Sequence, residues 1–237
     1  LFYKKKKVNI GSFEAVGSIQ ASLCYEYVKS EKLKINPNKY DICLIAETHC
    51  FFNGDFSQVK NYAECHGLVA EFTHRLCRKH NLNMVLPGKA AKDTAGARRE
   101  IYFYKHYLKN YNFEILHSPK ETRSYSSYIN VMQSKLTIAL WSTLLREAIS
   151  FEKKILSFNP TGHPDVIFPV PGITFPQESI CILTKPSYEL FEERVLRILS
   201  MTNEEYFSQL GKEKSFLMAP TVETAGILRK RLKQMLQ

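Results

Sequence analysis

The sequence predicts an α/β fold, a parallel sheet flanked by helices, and two observations carry that prediction. Short apolar runs that read as buried strands alternate with longer stretches whose apolar residues recur at helical spacing. The links between them are mostly a few residues long, which suits strand–helix–strand units with right-handed crossovers.

The elements follow in chain order. Residues 18–29 place Ile19, Ala21, Leu23, Cys24 and Tyr27 at helical spacing, and a polar, proline-containing stretch through Asn38 closes that helix. The run Tyr40–Ala46 reads as a buried strand that delivers Glu47, Thr48 and His49 at its C-terminal end, where open α/β sheets place ligand loops. A long amphipathic helix is expected over 58–79 (Val59, Tyr62, Ala63, Leu68, Val69, Phe72, Leu76), then a strand over 81–89 that breaks at Pro87-Gly88. An aromatic-rich helix over 98–110, a brief strand over 112–116 and a helix over 124–134 capped by Thr122 or Ser124 come next. Residues 135–141 form a strand, 142–150 a helix and 154–158 another strand. The proline- and glycine-rich stretch 159–177 is expected to be a functional loop. A strand at 180–183 and helices over 188–200, 203–211 and 222–236 complete the chain. The expected division is a helical lead-in over 1–39, the remnant of a preceding domain, and one α/β domain over 40–237. The chain opens at Leu1 as if in mid-protein.

At 237 residues the chain can bury a sizeable core. Its 44% hydrophobic and 24% charged content excludes a disordered, collagen-like or disulfide-scaffold protein. The net charge of +10 gathers in Lys4–Lys7 and in Arg229, Lys230, Arg231 and Lys233. That charge is either solvated surface or a face for nucleotide phosphates, an anionic membrane or an anionic glycolipid acceptor. No nucleic-acid motif accompanies it, so nucleic acid is not an expected partner. The six cysteines (Cys24, Cys43, Cys50, Cys65, Cys77, Cys181) include no CxxC pair and suit reduced, mostly buried thiols of a cytoplasmic protein. His49 and His66, near Cys50 and Cys65, match no metal-site spacing. No apolar stretch approaches the ~20 residues a membrane span needs.

The strongest chemical signal is the strand ending at Trp141 that runs directly into Ser142-Thr143-Leu144-Leu145-Arg146-Glu147-Ala148. A hydroxyl pair at a helix start caps free N–H groups, and those groups with the helix dipole attract phosphate oxygens. Glu147, four residues after Thr143, can face the same cleft and accept hydrogen bonds from ribose hydroxyls. The plainer alternative is an ordinary N-cap followed by a solvent-facing acid.

The segment TIALWSTLLREAISFEKKILSF resembles one in the C-terminal domain of GT-B glycosyltransferases, where a hydroxyl or small residue meets donor phosphate and the following Glu holds the ribose. From about Tyr40 onward the element order is similar to that domain, and the stretch Ile19-Gln20-Ala21-Ser22-Leu23 resembles bacterial surface-carbohydrate biosynthesis proteins. UDP-sugar 2-epimerases and teichoic-acid-type glycerophosphotransferases share a comparable arrangement. The resemblance implies a Rossmann-like parallel sheet, one GT-B half. It also implies a nucleotide-sugar donor held by Ser142, Thr143 and Glu147, and a glycan or glycolipid acceptor served by a second domain in cis or in trans. No cofactor or metal is expected, because helix dipoles and basic side chains neutralise the departing phosphate. Arg146 before Glu147, and no glycine after Ser142-Thr143, depart from the commonest pattern and leave donor identity open.

Three further places fit that chemistry. Lys89, with Lys92 nearby, follows the 81–89 strand where related transferases carry a base for the donor phosphates. His49 is a candidate general base, with Glu47 placed to orient it. In the loop after the 154–158 strand, Gly162 allows close backbone approach to the donor while His163 and Asp165 are placed to touch the sugar or acceptor. Each has a bland counterpart: a surface lysine, a satisfied loop histidine, a loop that merely turns. A cytoplasmic location, at most peripheral to the inner membrane face, completes the expectation.

Overall fold

The computed structural model describes residues 17–47, 56–109, 112–119, 125–160, 179–211 and 221–236, with side chains from Tyr62 onward in the second segment. Its strands are β1 (Tyr40–Leu44), β2 (Met84–Val85), β3 (Pro87–Ala91), β4 (Leu116–Ser118), β5 (Ser134–Ala139), β6 (Lys154–Phe158) and β7 (Ile182–Leu183). Its helices are α1 (Ile19–Ser30), α2 (Phe56–His80), α3 (Ala95–Tyr107), α4 (Ser126–Met132), α5 (Thr143–Ala148), α6 (Tyr188–Ser200), α7 (Asn203–Leu210) and α8 (Thr224–Met235), and a 3-10 turn, Ile149–Phe151, extends α5.

Every described strand pairing is parallel. The main sheet has the order β2-β1-β5-β6-β7, and β3 pairs with β4 in a second ribbon. The two ribbons join at Leu86, whose carbonyl accepts the Leu116 amide at 2.9 Å. The combined order is that of a doubly wound Rossmann-like domain, with its switch point between β1 and β5. The alternation predicted this fold, and the chain has it.

The strand expected over 81–89 is divided rather than ended at Pro87-Gly88. Pairing with β1 stops at Val85, and pairing with β4 begins at Pro87. Proline has no N–H to give, so the backbone changes ladder partner there and continues as β3. Gly88 is needed for that crossing: a Cβ would stand 2.3 Å from Cδ2 of His117. Thr122 and Ser124, the expected caps of α4, lie outside the described residues; the cap position is Tyr125, with no side-chain hydrogen bond.

Helices pack on both faces. On one face α2 meets α3 and α6; on the other α4 meets α1 and α5. The core follows: Ile42, Cys43, Leu44, Leu136, Ile138, Ile155, Leu156 and Phe158 are fully buried between the helix layers. The buried strand residue Lys154 is tolerated because its ammonium donates to the carbonyls of Ile198 and Met201, both at 2.7 Å, closing the C-terminus of α6. The five described cysteines are buried and unlinked, and burial pushes the Cys24 and Cys77 thiols up to about 12. Among the described residues no helix is long and apolar enough to cross a membrane.

Helix α1, in the segment read as a lead-in, packs against α4 and α8. Its capping hydroxyl, Ser18 Oγ, accepts from the Ala21 amide and donates to Glu147 of α5.

Candidate functional site at the sheet switch point

Open parallel sheets bind ligands outside the carboxyl ends of the strands where the winding reverses. Here the winding reverses between the residues after β1 and the turn between β5 and α5. The polar residue β1 delivers is Glu47, 4% exposed. Its Oε2 accepts the Leu140 amide at 2.6 Å and its Oε1 the Trp141 amide at 3.2 Å, so one carboxylate ties the end of β1 to the turn after β5. Burial pushes its carboxyl up to about 7, against the pull of those amides and of the Lys89 charge.

Behind Glu47 stands His66 of α2, its Nδ1 3.8 Å from the carboxylate and its Nε2 hydrogen-bonded to the Tyr104 hydroxyl at 2.7 Å. Burial holds the imidazole down to about 3, so it is neutral at physiological pH, and raises Tyr104 well above the ordinary tyrosine range. The line Glu47–His66–Tyr104 is a buried polar row behind the switch point. Sequence reasoning weighed His66 only as a metal ligand. The signal for its actual place was its position on the α2 stripe of Tyr62, Val69 and Phe72, a polar residue at a core position.

The turn itself is largely self-satisfied. Ser142 is the N-cap of α5; its Oγ accepts the Leu144 amide at 3.2 Å and its carbonyl accepts the Leu145 amide at 3.0 Å. Thr143 opens the helix and is exposed. The cap predicted at Ser142 is thus present, while the amides of Leu140 and Trp141 just before it are held by the protein's own carboxylate. Trp141 is 39% exposed and stacks on Tyr62 of α2, ring centroids 5.2 Å apart.

Glu147 lies one turn further, on the α1–α4 face. Its Oε1 accepts the Ser18 hydroxyl at 2.8 Å and its Oε2 the Tyr128 hydroxyl at 2.7 Å. Lys89 extends from β3, exposed, and its charge acts on Glu47. Its backbone is fixed by Glu100: the amides of Lys89 and Ala90 donate to Glu100 Oε1 at 3.1 and 3.2 Å, and His117 Nε2 bonds Oε2 at 2.8 Å. The structure therefore sets Ser142 and Thr143 at the turn of the switch point and Lys89 within electrostatic reach of Glu47, with Glu147 a turn below on the α1–α4 side. His49, Gly162, His163 and Asp165 lie outside the described residues. Among the described residues no group of three or more His, Cys, Asp or Glu side chains is arranged to hold a metal ion.

Solved structures share this architecture, among them the following two. The UDP-GlcNAc 2-epimerase of Neisseria meningitidis bound to UDP-GlcNAc aligns at 12% identity with a TM-score of 0.54, over 98% of this chain and 57% of that one. The S. aureus MnaA–UDP co-structure aligns at 10% identity with a TM-score of 0.53, over 99% of this chain and 57% of that one. At such identity the likeness shows the fold, Rossmann-like and GT-B-like, and the chain spans less than two thirds of either structure's length. No curated protein matches the sequence. A family model described as "putative O-antigen biosynthesis protein" matches residues 2–218, most of the chain, and the chain belongs to that family.

Proposed function

We propose that this chain supplies the donor-binding half of a GT-B-type glycosyltransferase that moves a sugar from a nucleotide sugar to a surface-glycan or glycolipid acceptor. The observation that carries the reading is the pairing of the capped Ser142–Thr143 turn, at the switch point, with Glu147 one turn below. Each Glu147 oxygen accepts one protein hydroxyl, from Ser18 and from Tyr128, and has a second acceptor site for a ribose hydroxyl. Thr143 and the start of α5 face the donor phosphates, and Lys89 adds positive charge as the diphosphate departs. His49 is the proposed general base, and Gly162 and His163 are the remaining proposed donor contacts. The acceptor domain stands in cis or in trans. UDP-GlcNAc and UDP, which the two similar structures bind, are the first donor and the first nucleotide to try.

Titration calorimetry against UDP, GDP, CMP and CDP donors tests this directly. Binding of one of them is expected, weakened more than tenfold by Glu147→Ala, about 1.4 kcal/mol, with the thermal transition retained. Silence from the whole panel sinks the reading. A sugar-nucleotide epimerase or polyol-phosphate transferase on this fold would share the binding and differ in product, so product analysis with the bound donor separates them.

A second reading, contact with an anionic membrane face on the cytoplasmic side, is favoured by α8. Its last two turns are exposed throughout; Leu232, Met235 and Leu236 are 59%, 74% and 87% exposed beside Arg229, Lys230, Arg231 and Lys233. No acid lies between Thr224 and Met235. Apolar residues flanked by cations suit the interface of an anionic bilayer, each cation contributing about 1 kcal/mol. Flotation with phosphatidylglycerol vesicles should carry the protein at low salt and lose it in Lys230→Glu/Lys233→Glu. Equal flotation of both proteins refutes the contact.

A further inference from the structure

Resting on the donor reading above, we infer that the indole of Trp141, backed by Tyr62, is the platform on which the donor's sugar ring stacks. Trp141 is the only tryptophan of the chain. It stands 39% exposed at the sheet's carboxyl edge while its neighbours Leu140 and Leu144 are buried. A large ring that keeps 39% of its surface exposed at a strand end offers that area to a ligand. One face is already supported by Tyr62, at 5.2 Å between centroids and 30° between planes. The backbone beneath is fixed as well, because Glu47 holds the amides of both Leu140 and Trp141. The platform is therefore preorganised, with two rings and a pinned main chain.

The layout of the crest says which part of a nucleotide sugar reaches it. Glu147, the ribose anchor of the proposed donor site, is bonded to Ser18 and Tyr128 on the α1–α4 face. Trp141 leans the other way, onto Tyr62 of α2. Ser142 and Thr143 lie between them on the chain, at the crest of the sheet. A nucleotide sugar is itself ordered as nucleoside, diphosphate, sugar. With the ribose on one face and the diphosphate at the crest, the sugar is the group carried over to the Trp141–Tyr62 face. The slightly positive C–H groups of a pyranose match the negative face of an indole.

A sole tryptophan makes the test direct. The full chain is titrated with UDP and with UDP-GlcNAc, reading heat and indole emission together. Both ligands are expected to release heat, and only UDP-GlcNAc to change the emission. Trp141→Ala should weaken UDP-GlcNAc about three- to tenfold and leave UDP unchanged, its retained UDP binding showing an intact fold. An emission change with UDP as large as with UDP-GlcNAc, or equal weakening of both by Trp141→Ala, overturns the platform while leaving the donor site standing. No heat from either ligand removes the platform and counts against the donor site; no heat from any donor in the panel refutes that site.

Discussion

Replacing Glu47 by Gln is expected to remove a pH-dependent share of stability worth about 3 kcal/mol, visible as a difference between wild type and variant that changes from pH 4.5 to pH 7. Its carboxyl titrates near 7 in the folded chain and near 4.5 when unfolded. In that interval the native state holds a proton that the unfolded state has released. The Glu47 contribution is therefore fully present below about pH 4.5, falls as pH rises, and is gone above about 7. His66 works in the opposite sense. Its imidazole is held at about 3 against 6.5 in the unfolded chain, so its contribution is present above 6.5 and lost as pH falls toward 3. Because both proteins retain His66, that second dependence largely cancels in the difference. Urea unfolding at pH 4.5, 6 and 8 measures it; a difference between Glu47→Gln and wild type that stays constant across the three would show that the carboxyl is not held neutral by burial. The Gln side chain, like the protonated carboxyl, accepts from only one of the amides of Leu140 and Trp141, so the variant stands for the neutral form of Glu47 at every pH.

Phe158→Ala should cost about 3–5 kcal/mol, the usual range for deleting a buried aromatic. The ring is fully buried at the end of β6, 5.7 Å from Phe72 of α2 and 4.8 Å from Phe191 of α6. It packs against aromatic rings of both helices, which also meet each other through Phe72 and Phe191, so its removal opens a cavity at the centre of that cluster. Phe158→Leu, which keeps most of the volume, should recover more than half of the loss in the same urea titration. Similar costs for Ala and Leu would mean that the site collapses freely and the cluster does not lock the two helices.

These two residues also mark how much could be read in advance. Phe158 ends the run Lys154–Phe158, which reads as a strand in the sequence, and the structure has β6 there, buried along its whole length. Helix α6 was expected over 188–200 and forms as Tyr188–Ser200, because Ser187 caps it and its apolar stripe is continuous. The Ser142 cap was legible for the same local reason: an acceptor hydroxyl two residues before a free amide is a short-range matter. The partners of Glu47, 93 and 94 residues away along the chain, were not legible. Nor were those of Glu147, which reaches back 129 residues to Ser18.

What the sequence by itself determined is the set of elements and their α/β alternation, because hydrophobic period, capping and turn chemistry act over a few residues. Which side chains meet at the crest of the sheet was decided only by the tertiary structure. It divided the strand at Pro87, laid α1 against α4 and α8, and turned Glu47 inward onto the turn after β5. A buried carboxylate must satisfy its oxygens with whichever donors the packed sheet and helices leave within reach, and that choice is set by where distant segments come to rest.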